Sequence, residues 1–522
     1  MQHTRSKVLI VNAYLDPWRA STPTRLFVPR AMAPYFLAGR FHRDRVEVRV
    51  HDEVHHGALL DRRLYAWPDL VILTGLTAAF DRARQLSAYF RHGRPGVVVA
   101  IGGPIARALP GLCARVFDLV CQGDVESVDA VIDEVLGPGH RADTPAPRFD
   151  LARSVFSPGF IETTKNCNFA CAFCSLTGEG RDYVAHEDED IARQIAAVDR
   201  VQMLMVLDNN FYGNNRSSFE GRVRLLGEHW RRGAFRGWGA LVTGDFFKSP
   251  DNLALVAENG CLALFSGVES LDPAVLRTFN KRQSLASDPR SLSKTCAAHG
   301  IIFDYGMILD FTQQTIGDVD AQIDGLLADP EVPLPGLLSL TIPIFGTPYF
   351  DEAASAGRLM PHLRLSDLDG QKIVEWPREP LDRVVPYVAA LLRFRGRKMA
   401  LARHAVAHAL TRRTDYRWEQ TALELLRPLL RYGGTVRVGT PSQMWATLRE
   451  SPATYCALTD TAPAAYRPRH WLPARFARDF EPFRVTDGTG ALTDESRAER
   501  HAAGASAGVS PARSAASAAP AR

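Results

Sequence analysis

Short apolar runs recur through residues 1–350, each ending in glycine or in polar turn residues. Val8-Leu9-Ile10-Val11 and Leu70-Val71-Ile72-Leu73 are unbroken, the pattern of strands buried in a parallel sheet. Val46-Glu47-Val48-Arg49-Val50 alternates apolar and charged residues and predicts a half-exposed strand at a sheet edge. Val97-Val98-Val99-Ala100-Ile101 runs into Gly102-Gly103-Pro104, and Leu119-Val120-Cys121 into Gln122-Gly123-Asp124. Helical patterns such as residues 82–91 fall between these runs. Strands alternating with helices predict a doubly wound, Rossmann-like α/β unit over residues 1–145. Ligands of such sheets bind beyond the carboxyl ends of the strands. Those ends carry Thr74, Gly75, Gly102, Gly103 and Gly123.

The pattern starts again near residue 155. Predicted strands cover 159–164, 203–208, 239–243, 262–270, 301–306 and 338–343, giving a second α/β unit over residues 155–350. Residues 351–493 form a mainly helical C-terminal extension. It holds a basic stretch over 393–413, either a solvated helix face or a surface for an anionic or lipid-like ligand or headgroup. Residues 494–522 are rich in Ala, Ser, Arg and Pro, and disorder is expected there.

Composition narrows the class. A chain of 522 residues with 46% hydrophobic residues has an ordinary globular balance. A net charge of +4 is too mild to argue for nucleic acid. No run approaches the ~18 apolar residues of a membrane span. The first seven residues lead straight into a strand pattern, so no signal peptide is expected. Eight cysteines in so long a chain make no disulfide framework. Cys113, Cys121, Cys261, Cys296 and Cys456 are read as structural thiols in a reducing cytoplasm.

Three cysteines stand apart from these. Lys165-Asn166-Cys167-Asn168-Phe169-Ala170-Cys171-Ala172-Phe173-Cys174 places thiols at C-x3-C-x2-C spacing, directly after the first strand of the second unit. Such a loop could ligate zinc with an added histidine. It could hold an electron-transfer cluster with a distant fourth cysteine. Or it could ligate three irons of a four-iron cluster and leave the fourth open. No second C-x2-C or H-x3-H pair follows at zinc-finger spacing, which weakens the zinc reading. His362, His404 and His408 have no supporting constellation.

The cysteine spacing, with Phe173 before the third thiol, resembles the radical S-adenosylmethionine (SAM) superfamily. The upstream unit resembles the cobalamin-binding domain of one subgroup, although the Asp-x-His-x-x-Gly motif of the wider cobalamin-binding group is absent. Pro343-Ile344-Phe345-Gly346-Thr347-Pro348-Tyr349-Phe350 resembles a segment that follows the sixth strand in that subgroup, with Phe345 in place of its second proline. The resemblance covers residues 7–350 and implies a partial (β/α)6 barrel behind the Rossmann-like unit. It implies a [4Fe–4S] cluster on Cys167, Cys171 and Cys174. It implies SAM contacts from Phe173, Asp208, Asn209, Glu269 and Ser270, and cobalamin contacts from Thr74, Gly75, Gly102, Gly103 and Gly123. Residues 305–310, with Thr312 and Thr315, match a further element that shapes the pocket. The implied activity is reductive cleavage of SAM to a 5′-deoxyadenosyl radical. Methylation of an unactivated carbon of a small, natural-product-type molecule would follow, with electrons from a flavodoxin or ferredoxin. The alternatives are a cyclase or rearrangement enzyme of the same architecture, and a non-catalytic iron–sulfur protein.

Overall fold

The computed structural model describes residues 5–13, 31–57, 59, 61–152, 159–180, 182–198, 201–213, 215–285, 288–360, 365–368, 370 and 372–432. His362, Cys456, the far part of the C-terminal extension and the tail expected to be disordered all lie outside the described residues.

The first sheet holds β1 (Ser6–Asn12), β2 (Val46–Asp52), β3 (Leu70–Thr74), β4 (Val98–Gly102) and β5 (Leu119–Val120), all parallel. Its order is β2-β1-β3-β4-β5, a doubly wound arrangement whose switch point lies between β1 and β3. Each inner strand is buried on both faces. Val8, Ile10, Leu70, Ile72 and Ala100 pack towards Val128, Val131 and Ile132, while Leu9, Val11, Val71, Leu73, Val99 and Ile101 join the main core. β2 is at the edge, with Arg49 exposed and Val46 and Val48 buried, as its alternation predicts.

The second sheet holds β6 (Gly159–Ile161), β9 (Leu204–Val206), β10 (Trp238–Val242), β11 (Cys261–Glu269), β12 (Ile302–Leu309) and β13 (Leu337–Leu340). The strands are parallel and adjacent in chain order, the winding of a half barrel. β6 is shorter than its apolar run predicts. The chain leaves the sheet at Glu162, and β7 (Thr164–Lys165) pairs antiparallel with β8 (Val184–Ala185) instead. The cysteine loop hangs between these two strands. Thr347 caps the helix Pro348–Ser355 by accepting from the Phe350 amide, with Pro348 first in the helix.

Helices Leu381–Leu391, Lys398–Arg412 and Trp418–Tyr432 follow the barrel. The basic stretch divides. Arg397 pairs with Asp324 at 2.8 Å and Arg412 is buried, whereas Arg403 and Arg413 face solvent. Among the described residues no helix is long and apolar enough to cross a membrane.

Candidate active site

The cysteine loop is fastened from below. The Ala172 amide donates to the Phe279 carbonyl at 3.0 Å, and Asn280 Nδ2 to the Ala170 carbonyl at 2.8 Å. The Tyr349 amide, at the start of the helix behind Gly-Thr-Pro, donates to the Ala172 carbonyl at 3.0 Å. Phe173 anchors the loop. Its ring lies 5.0 Å from that of Phe279, in an apolar cluster with Val275, Tyr349 and Ile308. An aromatic pair in this geometry adds to the stabilisation from burial. Phe173 therefore holds the loop by packing, and Lys281 Nζ lies 5.8 Å from its ring centre.

Cys171 is buried, and Cys167 and Cys174 are half-buried. Burial raises the thiols of Cys167 and Cys174, so cationic partners are needed to hold them as thiolates. Among the described residues no three His, Cys, Asp or Glu side chains converge on one ion.

Polar groups from the strand ends surround the loop. Glu269 ends β11 at a register shift, with a left-handed backbone (φ 68°) that is rare for a residue with a side chain. Its Oε1 lies 2.9 Å from Lys281 Nζ. Burial alone would lower the Lys281 pKa, but Glu269 and the Cys171 sulfur hold it above its ordinary value. Gln283 Nε2 is 3.3 Å from Cys171 Sγ. Asn210, after β9, donates to Asn168 at 2.8 Å, while its Oδ1 is buried without a hydrogen-bond partner among the described residues. Asp245, after β10, likewise has a buried, unpartnered Oδ2. Two orphaned acceptors and a carboxylate, with one ammonium beside them, fit a zwitterion that brings its own donors.

The expected SAM contacts therefore divide. Glu269 is at the loop, and Asn209 is exposed to a cavity described below. Asp208 turns inward: fully buried, it accepts from the Thr163 amide (2.6 Å), the Thr163 hydroxyl (2.5 Å) and the Thr164 amide (3.1 Å). It bends β6 into the loop and is a positioning residue. Ser270 is buried and its hydroxyl accepts from the Asp272 amide. Asn210, Asp245, Lys281 and Gln283 were not legible as site residues. Only the place of Asn210 and Asp245 just past apolar strands gave a signal.

Both sheets direct strand ends at one cavity of about 410 Å³. Thr74, Gly102, Gly103 and Gly123 line one side; Glu162, Lys165, Asn166, His186 and Asn209 line the other. His186 Nε2 meets Glu162 Oε1 at 3.0 Å. Gly103 has φ 80°, and a Cβ there would lie 2.7 Å from Thr74 Oγ1. Gly102, Gly103 and Gly123 leave a floor without side chains, which fits a flat macrocycle. Gly75 does not line it. A Cβ there would come within 3.0 Å of the Ala13 carbonyl, so it serves close packing at the switch point. Two ion pairs tie the sides together: Arg107 with Glu179 at 2.9 Å, and Lys165 with Glu126 at 2.6 Å.

A half barrel with a three-cysteine loop after its first strand, facing a doubly wound sheet, is the architecture that the resemblance to radical SAM proteins with a cobalamin-binding-type domain implies. No family model matches the chain. It is 25% identical over 342 residues to the hopanoid C-2 methylase of Rhodopseudomonas palustris (strain TIE-1), covering 61% of this chain and 63% of that protein, just under two thirds of its length. It is 24% identical over 382 residues to the bacteriochlorophyllide d C-12(1)-methyltransferase of Chlorobaculum tepidum, covering 67% of this chain and 79% of that protein. In fold it is similar to the cobalamin-dependent SAM radical enzyme OxsB, solved with aqua-cobalamin and SAM bound (TM-score 0.52, 13% identity, 85% of this chain and 78% of that one). These similarities point the same way as the cysteine spacing, towards radical SAM enzymes with an N-terminal cobalamin-binding-type domain.

Proposed function

We propose that the chain is a cobalamin-dependent radical SAM methyltransferase acting on an unactivated carbon of a small, natural-product-type molecule. One observation carries this reading: the glycine floor of the first sheet opens on the same cavity as Lys165 and Asn166, which lead into the cysteine loop, and Asn209, which follows β9. Cys167, Cys171 and Cys174 hold three irons of a [4Fe–4S] cluster. Lys281 meets the carboxylate of SAM, and Asn210, Asp245 and Glu269 accept from its ammonium. Thr74, Gly102, Gly103 and Gly123 seat the corrin ring. When bound, these groups supply radical generation and methyl transfer. The chain's part is to hold them face to face and exclude water between the sheets. On this reading residues 1–145 carry cobalamin, 155–350 carry the cluster and SAM, and 351–493 help to close the barrel mouth. The electron donor is of the flavodoxin or ferredoxin class. A reducing cytoplasm suits both the cluster and the described cysteines, which are all free.

Anaerobic reconstitution with iron, sulfide and hydroxocobalamin tests the reading. Roughly four irons and one cobalt per chain are expected, then deoxyadenosine and S-adenosylhomocysteine on adding SAM, reductant and a substrate. Deoxyadenosine without bound cobalt would favour the cyclase or rearrangement alternative. A full cluster that yields no deoxyadenosine with candidate substrates present would overturn both.

A further inference from the structure

Gln283 and the cysteine loop are separated by over a hundred residues, yet the Gln283 amide lies against a thiol. Its Nε2 is 3.3 Å from Cys171 Sγ, and both residues are buried. It is held by the turn that also fastens the loop: Phe279 and Asn280 bind the backbone on either side of Cys171, and Ser284 Oγ donates to the Gly267 carbonyl at 2.9 Å. The side chain therefore has a fixed base and is directed at the Cys171 sulfur. We propose that Gln283 is a positioning residue that tunes the reduction potential of the cluster by donating an N–H···S hydrogen bond to Cys171. The inference rests on the cluster assignment above.

The sign follows from charge. Reduction adds one electron, and with it negative charge spread over the cluster and its thiolates. A donor on a thiolate stabilises that charge, so the hydrogen bond favours the reduced form. Hydrogen bonds to the sulfurs are among the determinants of cluster potential, and burial strengthens this one by lowering the local dielectric. Lys281, paired with Glu269, adds a positive charge near the same sulfur, while the Gln283 amide is the group hydrogen-bonded to it.

The test is an anaerobic redox titration of the reconstituted full chain, followed by electron paramagnetic resonance of the reduced cluster. Gln283→Leu removes the donor and keeps the bulk; Gln283→Lys keeps a donor and adds charge. The Leu variant is expected to bind iron as the parent does and to shift to a lower potential. At fixed potential its reduced-to-oxidised ratio should fall about tenfold, or about 59 mV for a one-electron couple. The Lys variant should shift to a higher potential. A purely structural role would not move the two variants in opposite directions. Equal potentials in all three loaded proteins would overturn the inference and leave the function untouched. A parent chain that binds no cluster would instead sink the proposed function. Should the Leu variant fail to load, an unchanged or lowered potential in the Lys variant counts against the inference.

Discussion

Asp208 stands at the strand end where the sequence places it, but its carboxylate is engaged by the chain itself. It follows an apolar strand, where a carboxylate suggests a ligand contact. The structure instead surrounds it with three donors from Thr163 and Thr164. Burial nevertheless outweighs these donors and pushes its pKa from 3.8 up to about 6. An acid whose folded pKa is raised favours folding fully below its unfolded value, and that contribution is lost as pH rises through the folded value. Asp208→Asn keeps the acceptor for both amides and can donate to the Thr163 hydroxyl, but it cannot ionise. Between about pH 4 and pH 7 the parent should lose on the order of 2–3 kcal/mol relative to this variant. Urea unfolding at several pH values reads the difference directly. Parallel stability curves for the two proteins would show that burial does not set the charge of Asp208.

At the scale of elements, the two sheets were plain from apolar runs. Their carboxyl ends were plain from the glycines that follow, and the cysteine loop from its spacing. What stayed hidden depends on closure of the chain. Lys281 and Gln283 lie on a turn after β11 with no pattern to mark them, and they matter only because that turn is hydrogen-bonded to the cysteine loop. His186 and Glu162 come together only because β7 and β8 pair. Gly75 and Gly102 look equivalent in sequence, since each follows or ends an apolar strand, yet only Gly102 lines the cavity. That contrast gives a prediction. A Cβ at Gly102 would meet Cys121 Cβ at 3.5 Å, an ordinary contact, so Gly102→Val should fold. Its methyl groups would enter the floor of the cavity. Cobalamin affinity should fall at least about tenfold, roughly 1.4 kcal/mol, with iron content unchanged. Hydroxocobalamin absorbance after desalting measures the first, and iron assay the second. Parent-like cobalt retention would remove the glycine floor from the proposed site.

Across the whole molecule, the C-terminal helices are part of the barrel. The main core runs without a break from Leu9 in the first sheet to Tyr432 in the last helix. Leu365–Asp367 packs against Thr77–Ala79 and against the helix Phe80–Gly93, so the extension also touches the first unit. Polar contacts secure the helix pair. His408 Nε2 meets Glu424 Oε2 at 2.9 Å, and its Nδ1 lies 2.8 Å from the Pro330 carbonyl. Arg427 approaches Glu424 at 3.3 Å and pairs with Asp304 on β12. His408 thus bridges the Pro330 carbonyl and Glu424, and Glu424 also faces the Arg427 guanidinium. Burial opposes its charge, yet Arg427 and His408 hold its pKa below the ordinary value. Removing one member of such a buried set leaves the others unpaired, which costs more than the net worth of the set. Glu424→Ala should therefore lower stability by on the order of 3 kcal/mol. Since the same core serves both sheets, the loss should lower one cooperative transition rather than release the helices alone. Thermal unfolding followed by near-ultraviolet circular dichroism tests this, with limited proteolysis near residues 392–398 as a second probe. Early release of a C-terminal fragment, with the barrel still folded, would show that the helices are an appendage and do not help to hold the barrel mouth in place.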